Sequence, residues 1–184
     1  MDGSSTLRDA KLYFASGSIE KSIEAFDKAE STGCDLSEVC LSRGAAKMAL
    51  GLYKDAKEDF NRVVSINKDS ERAYYFRGIA HAALCEYEKA IQDLTQSLIR
   101  NNNRGIAHLV RGLAYSELGQ DTDAVLDFNS ASAFSEAELR SFKQLFGEKK
   151  TPFMNTKALL AKENAPWNNL LDKESVERLR KLFD

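Results

Sequence analysis

A period of 34 residues constrains this chain more than any other property of it. Gly44, Gly78 and Gly112 stand 34 apart, and so do Ala56, Ala90 and Ala124, with Ser22 in the earlier slot. Gly17 and Gly51 share the interval, Cys85 takes the next slot, and Gly119 resumes the row. Phe26, Phe60, Leu94 and Phe128 form a further row. Self-similarity at fixed spacing marks a stack of like units, each burying its apolar face only against its neighbours. Ten glycines and two prolines in 184 residues leave few breaks, which favours helices over strands. A small residue lets two helix backbones approach, and a large side chain fills the space beside it. Both rows therefore read as core, with no cofactor box among them.

Residues 71–104 carry the pattern most clearly: Tyr74 and Tyr87 as large residues, Gly78 and Ala90 as small ones. In the first copy Ala10 replaces the first glycine, while Tyr13, Gly17, Phe26 and Ala29 hold. These residues resemble the tetratricopeptide repeat, a 34-residue helix–turn–helix unit. Gapless copies fit 3–36, 37–70, 71–104 and 105–138, which is 136 of the 184 residues. The resemblance implies an all-α chain, a right-handed α-solenoid of four repeats with a C-terminal capping helix and tail. Helices of ~13–14 residues are too short to persist alone in water, so stacking must supply their stability. The family's usual proline near the end of the repeat is Cys34, Lys68, Asn102 and Glu136 here. Polar loop residues such as Asn101, Asn102 and Asn103 must stop the helices instead.

One row departs from the family pattern. The residue before each crossing glycine, commonly leucine, is Arg43, Arg77 and Arg111, and 16 residues later stand Asp59, Asp93 and Asp127. The first copy lacks both, having Asp9 and Ala25. This matched presence and absence predicts an Arg–Asp ion pair between the two helices of each of the three repeats. A structural role is favoured over an anion site, because each arginine has its own carboxylate.

The resemblance further implies that the first helix of each repeat lines a concave groove where ligands lie. The residues mapping there are Leu7, Lys11 and Phe14, then Leu41, Ala45 and Met48, then Arg72, Tyr75, Ile79 and Ala82, then Leu109, Leu113 and Ser116. The row is mostly apolar and fits an amphipathic helix or apolar peptide. The basic clamp by which some members grip a C-terminal carboxylate is disfavoured: the matching positions hold Leu7, Lys11, Ser42, Arg72 and Phe76.

After the repeats, Ser135 to Glu138 resembles a capping box opening a helix over 136–147, closed by Gly147, with Leu139, Phe142, Leu145 and Phe146 on one face. A linker follows at 148–152, then a tail with Trp167, the one tryptophan, and a last helix striped by Val176, Leu179, Leu182 and Phe183. Residues 1–138 carry 16 basic and 22 acidic groups, and 139–184 carry 10 and 6. A basic amphipathic tail beside an acidic array is expected to fold into its own groove, join a second copy as a homodimer, or dock elsewhere.

Several classes are disfavoured. A net charge of −2 argues against phosphate-neutralising nucleic-acid binding. No apolar run is long enough for a membrane span, and no secretory signal is visible. Cys34, Cys40 and Cys85 form no CxxC pair and read as reduced thiols of a cytoplasmic protein. His81 and His108 lack ligand-spaced carboxylates, so no metal site is expected. With no nucleophile–base pair, phosphate loop or cofactor motif, the chain reads as a non-catalytic protein-binding scaffold or adaptor. The alternative is a structural subunit assembled through its tail.

Overall fold

The computed structural model describes residues 3–132. Its helices run in chain order: α1 (Gly3–Ala15), α2 (Ile19–Ser31), α3 (Leu36–Ala49), α4 (Tyr53–Ile66), α5 (Glu71–Ala83), α6 (Tyr87–Arg100), α7 (Gly105–Glu117) and α8 (Asp121–Ser132). Every regular element among the described residues is a helix. The expected capping helix over 136–147, the linker, and the tail residues Trp167, Val176, Leu179 and Phe183 lie outside the described residues.

Each helix packs on the next: α1 on α2, α2 on α3, and so on to α8. The odd helices also touch one another in sequence, α1 with α3, α3 with α5 and α5 with α7. They form one continuous layer, with the even helices behind it. This is an α-solenoid of paired helices, as the 34-residue period requires.

Local chemistry explains the boundaries. In all four odd-to-even turns the chain reverses through a 6→1 hydrogen bond: Ser18 N–H to the Tyr13 carbonyl, Leu52 to Lys47, Glu86 to His81 and Gln120 to Tyr115, each at 2.9 Å. That geometry needs a left-handed residue, which Gly17, Gly51 and Gly119 supply at φ of 79°, 75° and 72°. Cys85 fills the same slot at φ 58° with a Cβ that resists it. At the other turns Asn67 and Asn101 stop α4 and α6 in extended conformation. Their side chains accept from Asp69 N–H at 2.9 Å and Asn103 N–H at 3.1 Å. These are the polar stops that the missing prolines demand. Asp35 caps α3 by accepting from Ser37 and Glu38 N–H, at 2.8 and 3.2 Å.

Cys85→Gly is expected to stabilise the chain by about 0.5–1 kcal/mol, because relief of the left-handed strain exceeds the added entropy of a glycine. The hydrogen bond between Cys85 and Tyr87 is the opposing loss. A urea midpoint that falls in the variant would show that this contact outweighs the strain.

Within each pair a small residue faces a large one. A methyl built on Gly44 would stand 2.6 Å from Phe60 Cε1, and one on Gly112 would stand 2.9 Å from Phe128 Cδ1. On Gly78 it would meet Leu94 Cγ at 2.7 Å and the Leu94 backbone nitrogen at 3.1 Å. Phe26, Phe60, Leu94 and Phe128 are all fully buried. Glycine is thus required by helix approach at these three crossings.

Candidate functional site

The sequence places its ligand-facing residues on the odd-helix layer. Spacings of four and three align Leu41, Ala45 and Met48 on one face of α3, and Leu109, Leu113 and Ser116 on one face of α7. Tyr75, Ile79 and Ala82 align the same way on α5. The structure joins these rows in one apolar cluster that includes Met48, Tyr75, Ile79, Ala82, Leu109 and Leu113, with Leu41 packed against it. Ala45 is also buried. Leu7 and Phe14 on α1 are half-buried in a second cluster around Ala10, Phe26 and Val39. Lys11 and Arg72 are exposed. Lys11 hydrogen-bonds to Glu38 on α3, and the Arg72 guanidinium lies 5.9 Å from the Phe76 ring centroid.

The layer is therefore apolar, but it does not present an open strip. Ile79 and Leu113 are 1% exposed, Leu109 2% and Tyr75 4%. The expected solvent-facing patch is confined to the α1 end and the half-buried Leu41. Phe60 stacks on Phe76 at 5.6 Å between centroids, and Tyr75 meets Phe76 edge-on at 5.0 Å. Arg104 covers Tyr75 at 4.8 Å and is held there by two 3.0 Å bonds to Glu71.

The arginine row forms a ladder with more rungs than the sequence predicts. Arg43 donates through Nε and Nη2 to Asp59, the shortest bond being 2.6 Å. Arg77 grips Asp93 at 2.6 and 2.7 Å, and Arg111 grips Asp127 at 2.7 and 2.8 Å. The remaining Nη1 reaches the even helix of the preceding repeat: Asp27 at 2.7 Å from Arg43, Asn61 at 3.0 Å from Arg77, Thr95 at 2.9 Å from Arg111. Each guanidinium thus ties the even helix behind it to that of the previous repeat. Asp27, Asn61 and Thr95 are themselves 34 apart, each 16 residues before its arginine. That signal was present in the sequence, hidden by its changing chemistry. Further members lie off the period: Glu30 accepts from Arg43 at 2.6 Å and from Arg62 at 2.5 Å, and Lys47 donates to Asp59 at 2.7 Å. His108 Nδ1 lies 2.8 Å from Asp127.

These contacts make stability acid-sensitive. The Arg62 hydrogen bond first, then Arg43, holds the Glu30 carboxyl down at about 2 against an ordinary 4.5. Lys57 first, then His81, does the same for Glu86, also to about 2. Burial pushes the His81 imidazole below its ordinary 6.5, against the pull of Glu86 and Asp93. Depressed carboxylates stabilise the fold above pH 4.5, and that contribution disappears as pH falls toward 2. A buried neutral histidine adds a loss in the same direction, beginning below pH 6.5. Urea unfolding should show a shallow decline below pH 6.5, then a loss of about 2–4 kcal/mol between pH 5 and 2 after solvent screening. A flat profile down to pH 3 would contradict these pairings.

Cys34, Cys40 and Cys85 are free, and burial pushes the Cys40 thiol up. Among the described residues no group of three or more His, Cys, Asp or Glu could hold a metal ion, and no helix is long and apolar enough to cross a membrane.

Comparison with known proteins agrees with this geometry. The family description of the tetratricopeptide repeat matches residues 37–70. No curated protein matches the chain in sequence. Solved structures do match in shape. MamA from Desulfovibrio magneticus RS-1, residue 41 to its end, has a TM-score of 0.71 at 17% identity, covering 100% of this chain and 94% of that one. Another crystal structure of MamA gives 0.68 at 21% identity, covering 95% and 92%. At such identities the likeness establishes a shared fold.

Proposed function

From the premise that this chain is a tetratricopeptide-repeat solenoid, we propose that it is a non-catalytic protein-interaction scaffold. Its ligand is an apolar, amphipathic helical segment of another protein, taken on the odd-helix layer. The carrying observation is the apolar row repeated on α3, α5 and α7, where a curved repeat array offers a surface rather than a reaction centre. The ladder arginines do not serve as an anion site on this reading, since each guanidinium is engaged with side chains of its own array. Three free thiols fit a reducing, cytoplasmic setting.

The test is selection of helical peptides from a displayed library against the purified chain. Leu7→Asp with Leu41→Asp, both at half-buried positions, should weaken captured peptides at least tenfold. Leu126→Asp, at a 62% exposed position on α8, should leave them unchanged. The reverse ranking would sink the reading. The charge division between array and tail favours a second reading, assembly of two copies through the tail, which light scattering at several concentrations decides.

A further inference from the structure

We propose that the chain's own C-terminal segment, residues 133–184, lies over the odd-helix layer along α7, α5 and α3 and keeps it shut, leaving the α1 end as the place where a partner enters. The inference rests on the scaffold reading and names how that site is regulated.

The first observation is a gradient. Leu109 and Leu113 on α7, Ile79 on α5 and Met48 on α3 are 1–2% exposed. At the far end Leu7 and Phe14 are half-buried and Lys11 is exposed. In a two-layer array, side chains pointing away from the even helices meet water unless something lies over them. The packed helix pairs among the described residues join sequence neighbours or successive odd helices, and none of them places a helix across that face. The cover is thus deepest beside the C-terminal end of the array and fades toward its N-terminus. A segment beginning after Ser132, at the end of α8 and next to α7, starts at the deep end.

The second observation is reach and chemistry. Odd helices of successive repeats are roughly 10 Å apart, so α3 lies about 20 Å from α7. Residues 148–172 alone span up to roughly 80 Å when extended, so the last amphipathic stretch reaches α3 with slack. That stretch carries Val176, Leu179, Leu182 and Phe183 at helical spacing, the chemistry an apolar trough accepts. Charge supports the pairing: 10 basic and 6 acidic groups in 139–184 face 16 basic and 22 acidic in 1–138. A tethered segment acts at an effective concentration near millimolar, so a free competitor must overcome it.

The probe is a fluorescein-labelled synthetic peptide of residues 172–184, titrated into the full chain and into the full chain carrying Leu179→Asp and Phe183→Asp. Circular dichroism verifies that helix content is kept. Binding at least tenfold tighter to the substituted chain is the expected result. Equal binding to both chains would show an open face in the full chain and overturn the proposal; no binding to the substituted chain would show that the segment does not fit and would overturn it as well. The library selection, run on the same two chains, separates this inference from its premise. Peptides captured only by the substituted chain support both, and peptides captured equally by both keep the scaffold and overturn the lid. Selection that finds no foreign helix on either chain, while the 172–184 probe still discriminates them, ends the scaffold reading and leaves the lid standing.

Discussion

Arg43→Ala should cost about 3–5 kcal/mol, more than the same change at Arg77 or Arg111. Arg43 is the most enclosed of the three, its side chain 8% exposed against 17% for the others. It also holds three carboxylates, Asp27, Glu30 and Asp59, where the others hold one. Removing it leaves like charges facing across the α2–α3–α4 junction. Lys47 still reaches Asp59 and Arg62 still reaches Glu30, which limits the loss but does not place a cation between them. Arg77→Ala and Arg111→Ala each strand one buried aspartate, and about 2 kcal/mol is expected for each. Arg43→Met separates packing from charge: it restores the volume of the stem and should recover less than half of the loss. Urea unfolding followed by circular dichroism checks the ranking. A loss below 1 kcal/mol at Arg43 would reduce the ladder to the worth of a surface pair.

The second large effect is at Phe60. Its ring is fully buried, stacks on Phe76 and lies against Gly44. Phe60→Ala should cost about 3–5 kcal/mol through lost transfer energy and the cavity left behind. Gly44→Ala alone should also destabilise, by about 1–3 kcal/mol, because a methyl 2.6 Å from the ring forces it aside. The two changes answer each other: with the ring gone the methyl meets open space and gains helix propensity instead. The double variant should therefore be more stable than additivity requires, by at least 1 kcal/mol. Strict additivity would show that Gly44 and Phe60 do not share a crossing.

What the sequence revealed and what it withheld divide along physical lines. The helix pairs were legible because small and large residues recur at the period of the unit. The Arg–Asp rungs were legible for the same reason, both residues lying in one repeat at constant separation. The third rung, Asp27, Asn61 and Thr95, keeps the period while changing from carboxylate to amide to hydroxyl, so identity alone conceals it. Glu30, Lys47 and Arg62 follow no period, and only packing brings them together. The direction in which Ile79 or Leu113 points follows from register, whereas its exposure depends on what lies above it. Sequence register therefore indicated an apolar face without showing that most of it is closed. Cys85 was visible as the odd member of a glycine row, and its positive φ shows that the turn imposes its shape on whatever residue occupies it.

The chemical change along the third rung gives the array a weak seam. Between the first and second repeats Arg43 reaches back to anions, one of them, Asp27, 60% exposed. At the two later junctions the backward contact is to an uncharged group. Mobile ions attenuate attraction between charges near water and hardly touch a bond from guanidinium to amide or hydroxyl. Raising ionic strength should then loosen the N-terminal hairpin before the rest, so that brine, unlike heat, would peel this solenoid from one end.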